Sequence, residues 1–525
     1  MIDLKSLLGG IVSEAQIEGD VLDGPFDIVN PVAPFELFDY QQEALDFVLR
    51  PGAMHSYLAL DMGLGKSLVA FTLAATVRNP ASENRYKRPV LLVVPPALRT
   101  NIVREGAKFF PSLKVVTILG GKPKDGETVP DADVIVIGDA SLKGKMVQDP
   151  QTRRKSFEPE GWALELAGKV DAVIVDEAHR HKNNSGRANA LAYIASMVSG
   201  FKVLMSGTPF PNGRNGELAK QVEVLGSQAW ADLGGKGHFY SHFAPIVDER
   251  YGIRTSRNNL ELHATLTDSF YFRRLRDDVV DLPNKARSFV GIEGSGKGAR
   301  DYLKAEDDLI SYLEDAGKNF TFDSRAEALV LMNNLRRLAG VARVPGVLAH
   351  VKDILEDDKD SDDPAGVLII AEHGEVLDAL TMGLQKYWPT TIRGGMTENE
   401  RDLNVDQFNL GKSRVLIGQI TSAGTGFTLH GDGKNRRVVF AQLPWTPAEV
   451  RQAEDRLHRI GQTHDVMVEL TGAVIPTASN GTTIDERLWA ALSAKAFSAG
   501  QVQDGKGDVL IDDQSIEDAV MDSYR

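Results

Sequence analysis

Residues 58–67 read LALDMGLGKS, and the order of residue types in that stretch decides how the first half of the chain folds. The apolar Tyr57, Leu58 and Leu60 form a strand run. Asp61, Met62, Gly63, Leu64 and Gly65 follow as a turn whose glycines let backbone N–H groups face a phosphate. Lys66 and Ser67 then open a helix. In such a loop Lys66 holds the β- and γ-phosphates of ATP and the Ser67 hydroxyl sits on Mg2+. The strict GxxxxGK[ST] pattern is incomplete, because Leu60 stands where its first glycine belongs.

Two further stretches supply what a phosphate loop alone lacks. Residues 171–179 read DAVIVDEAH: a buried strand run, Val173 to Val175, ends in acids at the edge where open parallel sheets bind ligands. Asp176 is placed to hold Mg2+ through water, Glu177 to polarise the attacking water, and His179 to sense the γ-phosphate. Residues 445–462 read WTPAEVRQAEDRLHRIGQ. If helical throughout, this segment presents Gln452, Arg456 and Arg459 from nearly one face. Paired arginines reaching across a cleft to a γ-phosphate are the second half of a split ATPase site.

Taken in order, the motifs resemble the Swi/Snf-type DNA translocases of helicase superfamily two, from about Leu37 to about Leu488. They are LFDYQQEAL (37–45), DMGLGKS (61–67), VDEAHRHKN (175–183), LMSGTPFPN (204–212), FRRLRDDVVDLPNK (272–285), VLIIAEHGEVLDAL (367–380), TSAGTGFTLH (421–430) and the arginine segment. The resemblance implies that Gln41 reads the adenine edge, that Ser206 and Thr208 couple nucleotide to nucleic acid, and that Gly424 and Gly426 form a close-approach loop beside the nucleotide. It implies Arg456 and Arg459 as paired fingers. It also offers Lys182, Asn183, Arg273, Arg274 and Thr421 as nucleic-acid contacts. Asp139-Ala140 stands where many relatives carry Thr-Tyr, which puts a DNA contact there in question. The wording of AGTGFTL and of RNNLELHATL (257–266) is nearer the annealing-helicase and fork-remodelling branch than the nucleosome remodellers.

Composition limits the alternatives. A chain of 525 residues, 42% hydrophobic and 25% charged, suits two globular lobes. With no cysteine, disulfides, zinc–thiolate sites and thiol catalysis are excluded. No apolar stretch approaches membrane-spanning length, and MIDLKSLLGGIVSEAQ lacks the basic start of a secretory signal, so a cytoplasm-like compartment is expected. The host reads as a bacterium or its virus. A net charge of −14 argues against a coating protein held to phosphates by bulk charge, but a motor needs only a local basic track. Arg180 to Lys182, Arg273 to Arg276 and Arg436 with Arg437 are candidates for it.

Alternating β-rich runs and helical stretches predict an α/β chain of two RecA-like, doubly wound parallel-sheet lobes in tandem, with small helical insertions. The expected organisation is a lead over 1–30 and a first lobe over 31–290 with a helical elaboration at 225–270. A helical bridge over 291–365, a second lobe over 366–499 and an acidic tail over 500–525 follow. The tail reads equally as a docking helix or a loose end. The expected activity is DNA-dependent ATP hydrolysis driving translocation on duplex or branched DNA by a monomer. A strand-separating helicase, a DEAH-type RNA helicase and a module binding ATP only as a structural ligand stay open. The third fits poorly with Glu177 and two fingers.

Overall fold

The computed structural model describes residues 27–31, 36–81, 85–125, 127–148, 153, 155–211, 214–248, 253–317, 321–357, 359, 361, 363–420, 427–431, 433–493 and 516–524. In chain order the strands are β1 (His55–Leu60), β2 (Val90–Val94), β3 (Val115–Ile118) and β4 (Val134–Gly138). A ribbon of β5 (Lys143–Gln148) and β6 (Lys155–Glu160) follows, then β7 (Ala172–Val175) and β8 (Lys202–Met205). A second ribbon, β9 (Ile246–Asp248) and β10 (Ile253–Arg254), precedes β11 (Tyr271–Arg274). The rest are β12 (Lys285–Glu293), β13 (Gly366–Ala371), β14 (Thr390–Ile392), β15 (Val415–Gln419), β16 (Asn435–Phe440) and β17 (Val466–Val474).

Two sheets result. The first has seven strands in the order β11-β1-β8-β7-β2-β4-β3, and the second has six in the order β12-β17-β16-β13-β15-β14. Every pairing described within them is parallel. Parallel strands need crossovers, so helices cover both faces and the central strands are apolar on both sides. β2 shows it: Leu91 and Val93 pack into one core, while Val90, Leu92 and Val94 pack into the core on the other face. The second sheet repeats the arrangement, with Leu368 and Ile370 of β13 on one face and Val367 and Ile369 on the other. The fold is that of two doubly wound RecA-like lobes.

The chain passes between the sheets earlier than the sequence suggests. β12 pairs with β17 along its whole length, from Lys285↔Val466 to Glu293↔Val474, so the stretch read as a bridge from 291 begins inside a strand. The two long helices that follow, Gly296–Ala316 and Phe322–Asp357, bury Tyr302, Leu309, Met332 and Leu335 in the second lobe's core. They are a wall of that lobe. The 225–270 region is helical as expected but also holds the β9–β10 ribbon. At the far end, the helix Ile516–Asp522 buries Ile516, Val520 and Met521 in the same core, and Arg325 holds Asp518 at 2.8 Å. Among the described residues no helix is long and apolar enough to cross a membrane.

Candidate active site

The phosphate loop leaves the C-terminal end of β1, a strand buried along its full length. Gly63 and Gly65 take φ values of 84° and 73°, the left-handed region that side chains resist, and the helix Lys66–Arg78 starts directly behind them. The Lys66 ammonium donates to the carbonyls of Leu60 at 3.2 Å and Asp61 at 3.3 Å, folding back across its own loop. Met62 and Leu64 are buried, and Ser67 is half-buried in the first helical turn. Tyr40 and Gln41 both donate to the Leu64 carbonyl, at 3.2 and 3.1 Å, and Gln41 Oε1 accepts from the Phe38 amide. Gln41 is buried, and a Cβ on Gly65 would stand 2.5 Å from its Nε2. In this conformation Gln41 braces the loop.

The acids sit two strands away. The Asp176 amide donates to the Val93 carbonyl of β2 at 2.8 Å, which fixes where β7 ends. Glu177 adopts φ 50°, costly for a non-glycine by roughly 1–3 kcal/mol, and the strain turns its side chain back toward His179. His179 Nδ1 lies 3.3 Å from Glu177 Oε2 and 2.9 Å from Ser206 Oγ, which in turn accepts from the Thr208 amide at 3.1 Å. One chain of polar contacts therefore joins Glu177 to SGTP. Burial and the adjacent Glu177 push the Asp176 carboxyl up. Burial pushes Glu177 up too, but His179, Lys66 and Arg456 outweigh it and hold that carboxylate below its ordinary value. Two neighbouring acids driven in opposite directions suit two different roles.

The arginine segment differs from expectation. Thr446 caps the helix Pro447–Glu454 with a reciprocal Glu449 contact, and the helix stops at Glu454. Arg456 and Arg459 therefore lie on a run of turns, and only Gln452, half-buried, remains helical. The Glu454 carboxylate is fully buried, with Arg287 Nε at 2.6 Å and Lys285 at 2.9 Å, and the Leu429 amide takes the Arg456 carbonyl at 2.9 Å. The Asp455 and His458 amides still donate to the Arg451 and Glu454 carbonyls at 2.9 Å each, and the chain leaves the helix through i→i−3 turns before Gly461 at φ 99°. Arg456 Nη1 donates to the Phe427 carbonyl at 3.2 Å.

Lobe two nevertheless meets lobe one here. A Cβ built on Gly63 would lie 3.4 Å from that of Arg459. Burial and the neighbouring Arg459 lower the Arg456 guanidinium to about 10, with Glu177 opposing that fall. Burial also lowers Arg459, against the pull of Glu105. Lys66, Glu177, Arg456 and Arg459 thus act on a common region between the sheets. The residues suit a nucleotide with Mg2+. Among the described residues Lys66 has carbonyl partners but no carboxylate, and Asp176 is a buried acid without an ion pair. A polyphosphate satisfies the first, and a divalent cation shared with Ser67 the second.

The SNF2-related domain matches residues 40–340, more than half of the 525-residue chain. The chain belongs to the SNF2-related family. A helicase conserved C-terminal domain matches residues 347–461. Over 493 residues the chain is 28% identical to the Mus musculus DNA annealing helicase and endonuclease ZRANB3, covering 92% of this chain and 42% of that protein. It is 29% identical to a Caenorhabditis elegans homolog of SWI/SNF-related matrix-associated actin-dependent regulator of chromatin subfamily A-like protein 1, covering 90% and 63%. With the Xenopus tropicalis protein of that name the identity is 30%, over 89% and 45%. The chain spans 42% to 63% of the length of these relatives. Among solved structures, the Sulfolobus solfataricus SWI2/SNF2 ATPase core in complex with dsDNA aligns with a TM-score of 0.39 at 21% identity, covering 92% of this chain and 95% of that one.

Within this SNF2-related chain the nucleic-acid candidates fare unevenly. Arg273 donates to the carbonyls of Ala59 at 3.0 Å and Gly207 at 3.3 Å and pairs with Asp61 at 3.2 Å; its side chain is only 7% exposed. Arg274 pairs with Glu43 at 2.7 Å. Arg273 is a strut of the nucleotide loop, which corrects its assignment to a DNA track, whereas the half-exposed Arg274 is tied to the helix Asp39–Leu49. Lys182 pairs with Glu217 at 2.9 Å, while Asn183 is exposed. Thr421, Gly424 and Gly426 lie outside the described residues. Asp139, where a DNA contact was questioned, is buried and holds Arg180 at 2.8 Å and Arg187 at 3.4 Å. Sequence reasoning missed Glu105 and Asp455 altogether; both belong to helix or turn positions whose charges gain meaning only once the lobes meet.

Proposed function

We propose that this chain is a DNA-dependent ATPase that tracks along duplex or branched DNA and remodels it, by fork remodelling, branch migration or strand annealing. The observation that carries the reading is the approach of Arg456 and Arg459, from the second lobe, to the Gly63–Lys66 loop and Glu177 of the first. Mg2+, when bound, neutralises phosphate charge as a Lewis acid. Lys66 and the loop amides bind the phosphates. Ser67 and Asp176 would hold Mg2+. Glu177 accepts the proton of the attacking water, a role worth about 10²–10⁴ in rate. Arg456 and Arg459 neutralise charge developing on the transferred phosphoryl group, worth about 10³–10⁵. The Glu177–His179–Ser206–Thr208 chain of contacts reports the state of that group to the rest of the first lobe.

Because the two halves of the site belong to different lobes, making and losing these contacts moves one sheet against the other, and DNA lying across both advances. The chain works as a monomer in a cytoplasm-like compartment. The names of its relatives, which include a DNA annealing helicase, agree with this substrate class. ATPase rates against single-stranded, duplex, forked and four-way DNA, with RNA as control, test the reading. Stimulation by duplex or branched DNA is the expected result. Stimulation by RNA alone moves the chain to the RNA-helicase class, and turnover indifferent to nucleic acid ends the motor reading.

A further inference from the structure

Because the helix stops at Glu454, Arg456 and Arg459 lie on turns, and contacts from outside the helix help to aim them. The residue beside each points to the answer. Asp455 precedes Arg456 and His458 precedes Arg459, and a single guanidinium grips both: Arg276 Nη1 donates to Asp455 Oδ1 at 2.6 Å and to the His458 carbonyl at 2.7 Å. Arg276 is 5% exposed, so it has no surface to offer a DNA phosphate. Its main-chain amide meanwhile donates to Asp61 Oδ2 at 3.3 Å. Asp61 is the first residue of the phosphate loop, and Arg273 holds its other oxygen. A further bond ties the same stretch to the turn, His458 Nε2 lying 2.7 Å from the Pro283 carbonyl.

We propose that Arg276 is a positioning residue for ATP hydrolysis: it ties the phosphate loop, through Asp61, to the turn that aims Arg456 and Arg459. This rests on the function proposed above. The strut is short and charge-assisted at one end, which makes it stiff and intolerant of a shorter or neutral replacement. It runs from the phosphate loop to the turn that carries both arginines, so it also fixes how the two lobes meet there. An aiming error of about 1 Å in such a group costs about a hundredfold in rate without requiring weaker substrate binding.

The test compares wild type, Arg276→Gln, Arg276→Lys, Asp455→Asn and the Arg276→Gln/Asp455→Asn double variant. Readouts are kcat and ATP KM at saturating duplex DNA, and DNA affinity against salt. Arg276→Gln is expected to lower kcat about 10- to 100-fold with KM within about threefold. Arg276→Lys should recover part of that loss, and Asp455→Asn should match Arg276→Gln. The double variant should be no slower than either single one, as members of one contact behave. The salt slope of DNA binding should stay at its wild-type value. A raised KM at normal kcat, additive losses, or a shallower salt slope overturns the proposal; the last would make Arg276 a phosphate contact after all. If Arg276→Gln does not fold, the kcat of Arg276→Lys decides, and a wild-type rate there overturns the proposal. A wild-type chain without DNA-stimulated turnover sinks the function itself, whereas normal turnover in every variant sinks only the strut.

Discussion

Glu177 and His179 lie 3.3 Å apart, and in the proposed function the first accepts a proton while the second relays the state of the site. A left-handed backbone turns the Glu177 side chain toward His179, and against burial the His179 contact, together with Lys66 and Arg456, holds its carboxylate below the ordinary range. Glu177→Gln keeps the shape and removes the proton acceptor. It should bind ATP with near wild-type affinity and lose at least about a hundredfold in turnover, read by nucleotide binding beside steady-state ATPase. Arg456→Ala should abolish most DNA-stimulated hydrolysis, about 10³-fold, with nucleotide affinity little changed. A different kind of result is expected at His181. Burial depresses this imidazole to about 4, while Asp139 opposes the fall. A neutral buried histidine leaves the unfolded chain, with its ordinary value near 6.5, binding more protons between about pH 6.5 and 4. Stability is therefore lost as pH falls through that window. Urea midpoints at pH 7 and pH 5 should differ by less in His181→Gln than in wild type.

At the scale of elements, the loop between β1 and its helix was legible and the arginine segment was not. Gly63, Gly65, Lys66 and Ser67 announce their geometry because glycine alone sits easily at positive φ and the helix follows at once. Gly65→Ala combines backbone strain with a Cβ 2.5 Å from Gln41 Nε2. It should weaken nucleotide binding at least about tenfold while the protein still melts cooperatively, checked by titration with a fluorescent nucleotide and by thermal denaturation. The segment 445–462 has helical spacing, yet its helix stops at Glu454, whose buried carboxylate is held by Arg287 and Lys285. Those partners lie more than 160 residues upstream, where no local pattern points to them. The same blindness affected Arg273 and Arg274. A basic cluster looks like a phosphate track until its acids, Asp61 and Glu43, fold against it.

For the whole molecule, the two-lobed parallel architecture was readable from strand runs such as VLLVV and AVIV, since strands covered on both faces must be apolar throughout. The border between lobes was harder, because KARSFVGIE has mixed exposure and lies at the edge of its sheet. Its placement has a practical outcome. Among the described residues, every strand before 275 belongs to the first sheet or its ribbons, and every strand from 285 onward to the second. One short connector is the whole covalent link between two self-contained cores. Severing the polypeptide near 281 should therefore yield fragments that fold separately and, when mixed, regain ATP turnover by docking Arg276 onto Asp455. Co-purification of the fragments and a concentration-dependent rate would reveal it. In that event the tether supplies only proximity, and an engineered linker of adjustable length becomes a dial on how fast the motor runs.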